Sequence, residues 1–529
     1  MFKPLLVIPV ICFLSIYLMF HTLSYNSISG EFQVSGKVWS DFGSHIPLIR
    51  SFTYGANWPP RYPLFPGSAI KYHYLFYSVV GWTERLKVPL DISLNLYSSA
   101  GFASLMILIF VFSAKLFRNL YVGFLSLLFF IFNGSLSFLD FFSKHPLSSL
   151  TLKEIIHNSA FPAFAPWNQS LITAFWNLNI YTNQRHLGLS FAVTLLLIFI
   201  LSFPKTKLIY LSGFILGSLL LLNQACFLIG SVFCLVYFIF SPETRIKLLL
   251  SSVGALPWVL ISLTTQSFSP EIFWQPGFLI TPPLTYISFF KFWFYNFGIH
   301  LFLIPLGFLI APPKTRLVFF PASIIFIIAN LWRFSPDMIN NHKFFNFFLI
   351  IGTMFSAWFI TAIFRQNILG KFAAFILVIS LVLGGIIDIF PVINDTKILF
   401  SDSKTNPDIR YFLDNTPPKS VVLNSFWFYH PASLAGRSIY NGYSYFTWSY
   451  GYDQVARERK TIQIYGSVNK AALCRSLKTA HIDYVEYSPG HESFITIHPD
   501  LWLNELIPDY SNNLTGFSVY SVQDNCTDI

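Results

Sequence analysis

About eleven apolar runs recur along this chain, near 4–20, 94–114, 119–139, 187–203, 208–222, 225–241, 247–264, 289–311, 317–332, 344–364 and 372–391. A run of roughly 17–25 apolar residues matches the hydrocarbon thickness of a bilayer, so their repetition restricts the chain to a membrane-embedded helical architecture. Composition agrees: 54% of the 529 residues are hydrophobic and 11% are charged, a balance that water does not solvate as ordinary globular domains. Two runs contain proline, at Pro257 and Pro305, and the pair meeting at Asn223–Gln224 reads equally as one broken or re-entrant stretch.

The net charge of +10 suggests nucleic acid in a soluble chain, but here its distribution is a topology signal and no nucleic-acid partner is expected. Alternate short loops hold Lys3; Lys115 and Arg118; Lys205 and Lys207; Arg245 and Lys247; Lys314 and Arg316; Arg365 and Lys371, with Glu243 the only acid among them. The positive-inside rule then places the N-terminus in the cytoplasm. The first run has a basic start but no A-x-A-like cleavage site, and reads as an uncleaved span.

On the opposite side lie long polar loops at 21–93 and 140–186, shorter ones at 265–288 and 333–343, and the tail. The expected organisation is therefore a multispanning domain over 1–392 and a soluble extracytoplasmic α/β domain over 393–529. In the tail the pattern predicts a helix over 406–415 ended by Pro417–Pro418, a strand over 420–423, an amphipathic helix over 468–480 and a strand over 482–486. Cys474 and Cys526 share this region, where an oxidising compartment allows but does not require pairing. Cys12, Cys226 and Cys234 fall in spans, and there is no CxxC or paired Cys/His metal pattern.

Chemistry is sought where polar groups meet the membrane surface. The first outer loop carries Trp39-Ser40-Asp41-Phe42-Gly43-Ser44-His45, then Arg50. Asp41 and His45 are spaced i, i+4, so on a helix His45 can bond Asp41 or a substrate anion; alternatively Asp41 only caps a helix. Downstream, Asn57-Trp58-Pro59-Pro60-Arg61-Tyr62-Pro63 and Lys71-Tyr72-His73-Tyr74 form a proline-stiffened aromatic segment, suited to a glycan or isoprenoid head group or to interfacial anchoring. Arg61 and His73 are its candidate ligand-binding residues.

Two spans are entered from the outside through cationic edges, Asn183-Gln184-Arg185-His186 and Asn341-His342-Lys343. Both run against the positive-inside trend, and an anion is one reason for them: Arg185 can grip a phosphate bidentately and Lys343 can add a point charge. Snorkelling to lipid phosphates is the other. His186 and His342 join them as candidates, and Asp140 or Glu154 in the second loop can supply a second carboxylate.

On these features the chain resembles bacterial membrane glycosyltransferases of the GT-C superfamily, which includes protein mannosyltransferases and lipid A aminoarabinose transferases. The resemblance lies in the plan, an acid in the first outer loop, many spans and a soluble tail outside, and in short segments: Asn183-Gln184-Arg185-His186, Asn341-His342-Lys343-Phe344-Phe345, Ala435-Gly436-Arg437 and Asp483-Tyr484-Val485. It implies a polyprenyl-phosphate-linked sugar donor, an extracytoplasmic acceptor, a bacterial inner-membrane location and Asp41 as the base that activates the acceptor. Many members carry adjacent or near-adjacent acids here, whereas Phe42 follows Asp41. A divalent metal ion is compatible with the resemblance, but nothing in the sequence requires one. A transporter or flippase of lipid-linked glycan and a noncatalytic envelope-assembly protein are the alternatives. Against a transporter, the spans hold almost no ionisable residue, Asp388 lying near the end of the last one.

Overall fold

A computed structural model describes residues 7–267, 272–425, 428–489, 497 and 501–527. Lys3 and the start of the first apolar run lie outside them. All eleven apolar runs fall on helix, and the chain is a polytopic membrane protein with a tail beyond its last span. The count of eleven spans is not reproduced. Among the described residues five helices are long and apolar enough to cross a bilayer: Leu90–Phe117, Pro242–Thr265, Pro313–Leu331, Met338–Phe364 and Ile368–Ile393. Two bent pairs raise the number to seven at most, while Val7–Thr22, Leu187–Ser202, Lys207–Leu222 and Gln224–Phe240 are apolar but shorter.

The breaks have local causes. Asn223 is extended (φ −168°), ends one helix and caps the next by accepting from the Cys226 amide, so two helices meet there rather than one. The expected 119–139 span bends by 50° between Leu120–Phe132 and Ser137–Lys144, where Asn133 and Gly134 both take positive φ. The expected 289–311 span turns by 85° between Tyr286–Phe297 and His300–Ile310. Close packing of the last span depends on Gly384 and Gly385: a Cβ on either would lie 2.1–2.4 Å from the carbonyl oxygens of Phe132 and Ser135. Beside this contact Asp388 accepts a hydrogen bond from Ser137 Oγ at 3.1 Å.

Outside the helices, Leu23–Asn26, Glu31–Ser35 and Lys397–Ser401 form an antiparallel sheet with Glu31–Ser35 in the middle. The first outer loop is thereby tied to the chain just past the last span. The tail builds a five-stranded sheet in the order Ser438–Ile439, Val421–Leu423, Tyr484–Tyr487, Ser518–Ser521, Tyr510–Ser511, parallel across its first three strands and antiparallel beyond. The helices Pro407–Asn415 and Lys470–Thr479 and the strands Val421–Leu423 and Tyr484–Tyr487 coincide with the expected elements. Asn406 caps the first helix, its side chain accepting from the amides of Asp408 and Ile409. Leu423, Ile464, Leu473, Trp502 and Tyr520 share a separate apolar core, and Cys474 and Cys526 are joined in a disulfide beside it.

Candidate active site

Asp41 sits in the first turn of the Trp39–Thr53 helix, where a carboxylate complements the free amides of the helix start. The tail clamps this helix: Tyr429 donates to the Trp39 carbonyl at 2.6 Å, and the Phe428 ring packs so close to Gly43 that a Cβ there would meet it at 2.6 Å. Arg50 anchors its other end through Glu84 and Asp402, each at 3.2 Å. Burial raises the Asp41 carboxyl to about 6, while a hydrogen bond from Asn183 and the charge of Lys343 pull it back down.

His45 stands one turn further along, but among the described residues no hydrogen bond joins it to Asp41. It is buried and stacked on Tyr77 at 4.9 Å. Burial, aided by the charges of Arg185 and Lys343, lowers it to about 3, so it is neutral and cannot hold an anion by charge. The shared helix face expected from the i, i+4 spacing is real; the interaction is not.

A cavity of about 270 Å³ is walled by Lys71, Tyr72, His73, Asn223, Lys343 and Tyr450 among others. Loops far apart in sequence build it. Lys71 Nζ donates to the Gly451 carbonyl, its amide donates to Tyr452 Oη at 2.8 Å, and Tyr72 stacks on Tyr450 at 4.1 Å. Tyr445 Oη donates to Asp337 at 2.7 Å, in the loop that leads into Lys343. Lys343 Nζ has a neutral partner, Asn340 Oδ1 at 3.1 Å. Lys343 and Tyr450, both on this wall, are each coupled electrostatically to Asp41.

His73 is both on the wall and in a buried chain. Its Nε2 lies 2.8 Å from His186 Nε2, and His186 Nδ1 lies 2.8 Å from Tyr77 Oη. Burial lowers both imidazoles well below their usual range, so each is neutral and one must donate to the other.

Arg185 is a correction to the sequence reading. It is fully buried, and all five of its N–H donors are spent: Nε on Thr182 O at 2.8 Å, one terminal nitrogen on Met19 Sδ and Asn95 Oδ1, the other on Met19 O and Thr22 Oγ1. No fork is left for a phosphate. Burial without a carboxylate partner lowers its pKa to about 9. His186 is likewise committed to the His73–Tyr77 chain. His342 is buried against Phe175 and bonds Gln184 and Asn346 rather than facing the cavity.

The remaining candidates stand apart. The Arg61 side chain is exposed, and its backbone pairs with Asn57 and Ala69. Glu154 pairs with His145 at 3.9 Å, and Asp140 lies on the Ser137–Lys144 helix near Lys144. Neither is in contact with Asp41 among the described residues. Among the described residues no group of three or more His, Cys, Asp or Glu side chains is placed to hold a metal ion. Sequence reading quoted Lys71 and Asn183 without a role and missed Asp337, Tyr445 and Tyr450; the aromatic run Tyr443–Tyr452 is the signal that was available for the last two.

No protein-family model and no curated protein matches the sequence. Solved structures do match in shape. ArnT from Cupriavidus metallidurans bound to undecaprenyl phosphate superposes with a TM-score of 0.54 at 8% identity, over 98% of this chain and 98% of that one. The arabinofuranosyltransferase AftD from mycobacteria gives 0.53 at 12% identity, over 98% of this chain and 41% of that one. The Archaeoglobus fulgidus oligosaccharyltransferase in complex with zinc and sulfate gives 0.51 at 12%, over 97% and 73%. Over nearly its whole length the chain shares the overall fold of these three proteins.

Proposed function

We propose that this protein transfers a sugar from a polyprenyl-phosphate-linked donor to an extracytoplasmic acceptor, with Asp41 as general base. The observation that carries the reading is a buried carboxyl, raised to about 6, that is coupled to Lys343, which with Lys71 lines the cavity. A general base serves best when its pKa lies near the working pH, and lysines answer the charge of a phosphate. Asp41 takes the proton of the acceptor hydroxyl as its oxygen forms a bond to the anomeric carbon. The bond from that carbon to the phosphate oxygen breaks, and the electron pair leaves with the polyprenyl phosphate, facing Lys71 and Lys343. One direct displacement through an oxocarbenium-like state inverts the anomeric centre. Lys71 takes the phosphate-facing role that the sequence suggested for Arg185 and His186.

The likeness to a structure bound to undecaprenyl phosphate supports the donor class. The disulfide between Cys474 and Cys526 supports an extracytoplasmic tail, since such bonds persist in oxidising compartments. With the basic inner loops it favours an inner-membrane protein with its N-terminus in the cytoplasm, the four shorter apolar helices completing about eleven membrane segments.

The test is reconstitution in vesicles with radiolabelled polyprenyl-phosphate sugars and a cell-envelope extract as acceptor. Transfer of label, with release of polyprenyl phosphate, is expected from the wild type. Movement of intact labelled lipid across the vesicle membrane without transfer would contradict the reading in favour of a flippase.

A further inference from the structure

The Tyr286–Phe297 helix is open over its first two turns and packed towards its end. Its buried face, Phe292, Trp293 and Phe297, packs on Phe278, Phe326 and Phe345, and Trp293 Nε1 donates to Asn330 Oδ1 at 3.1 Å. Its first two turns instead present Tyr286 (96% exposed), Ile287 (80%), Phe290 and one cation, Lys291. Exposed apolar side chains of this size, contiguous on one helix, need an apolar environment. Yet this one has 12 residues, too few to cross a bilayer. It cannot extend in either direction: Thr285 and Ser288 close its start with a reciprocal capping box, and at Gly298, in positive φ, the chain turns by 85° into His300–Ile310.

Three further observations say what covers the open face. Phe290 and Phe294 touch Phe302, so the face runs without interruption into the outward side of the next helix, where Phe302, Leu306 and Leu309 are exposed. Alongside, the strand Phe273–Trp274 pairs with Trp332–Arg333 and leaves Ile272 and Trp274 exposed, an aromatic edge of the kind found at the level of lipid headgroups. Arg333 lies over the Phe273 ring at 4.6 Å and Lys291 is exposed, two cations of the kind that reach lipid phosphates.

We propose that the Tyr286–Phe297 helix lies in the plane of the membrane, its outer face immersed in the lipid leaflet on the tail's side, with the Ile272–Trp274 edge beside it at headgroup level. The side is fixed by the loop after Arg333, which reaches the tail through Asp337 and Tyr445. Ile272 also belongs to the cavity wall, so the anchored edge sets the cavity's rim at the membrane surface.

The experiment places a photoreactive benzophenone at four positions of the full chain: Ile287→p-benzoylphenylalanine, Phe290→p-benzoylphenylalanine, a water-facing control in the tail at Lys419, and a lipid-facing control at Val253, mid-span in Pro242–Thr265. Each protein is irradiated in vesicles of phosphatidylethanolamine and phosphatidylglycerol, and the adducts are mapped by mass spectrometry. Positions 287 and 290 are expected to give about tenfold more phospholipid adduct than 419, carried nearer the glycerol than the adducts of 253. A yield as low as at 419, a crosslink to protein, or adducts as deep as those of 253 would each overturn the proposal. Positions 287 and 290 face outward, so the label itself leaves the packed face untouched, and a monodisperse elution profile confirms the fold before irradiation.

Discussion

Arg185 and Lys343 stand at the starts of two apolar helices and look alike in sequence, yet the structure gives them different surroundings. Arg185 is sealed in, with five donors spent on backbone and neutral side chains of its own segment and two others. Lys343 has a single neutral side-chain partner, sits on the cavity wall and feels the charge of Asp41 and Asp337. What separates a structural cation from a ligand-binding one is whether its donors are already satisfied, and that depends on what the fold brings to it.

The contrast can be broken by substitution. Arg185→Met strands the acceptors of Asn95, Thr22 and Met19 in the interior, and is expected to cost on the order of 3 kcal/mol or more, read as a large fall in the thermal unfolding midpoint of the purified protein. Lys343→Met removes one charge from an open wall. It is expected to weaken binding of undecaprenyl phosphate about tenfold, with the unfolding midpoint nearly unchanged, as measured by titration calorimetry and differential scanning fluorimetry. If the two variants behaved alike, the distinction would fail.

The acid limb of the transfer rate sharpens the comparison further. Asp41 works only when ionised, so the rate should fall as pH drops through about 6. Asn183 and Lys343 both favour the carboxylate, so removing either raises the Asp41 pKa and moves the limb to higher pH, Asn183→Ala more than Lys343→Met, in pH–rate profiles of the reconstituted enzyme. Arg61→Ala is the smallest expected effect, within about twofold in rate and affinity, because its side chain is exposed and apart from the cavity.

Much of this was legible in the sequence. Apolar runs located helices, though not how many are long enough to cross a bilayer, and strand-length runs with caps located the tail elements around Asn406, Val421 and Tyr484. Three features were not legible. Breaks at Asn133–Gly134 and Gly298 depend on positive φ, which an otherwise continuous apolar run conceals. The committed states of Arg185 and His186 depend on contacts with residues 90–166 positions away, which no local pattern encodes. The cavity joins Lys71, Lys343 and Tyr450 across nearly the whole chain, and only the tail folding back on the first outer loop brings them together.

The central claim is that Asp41 acts on the acceptor's proton and not on donor binding. Asp41→Asn keeps the shape and removes the base. Measured side by side on the reconstituted protein, the variant should bind undecaprenyl phosphate about as tightly as the wild type while sugar transfer falls about 100-fold or more. Transfer at the wild-type rate, or a loss of transfer matched by an equal loss of binding, would contradict it.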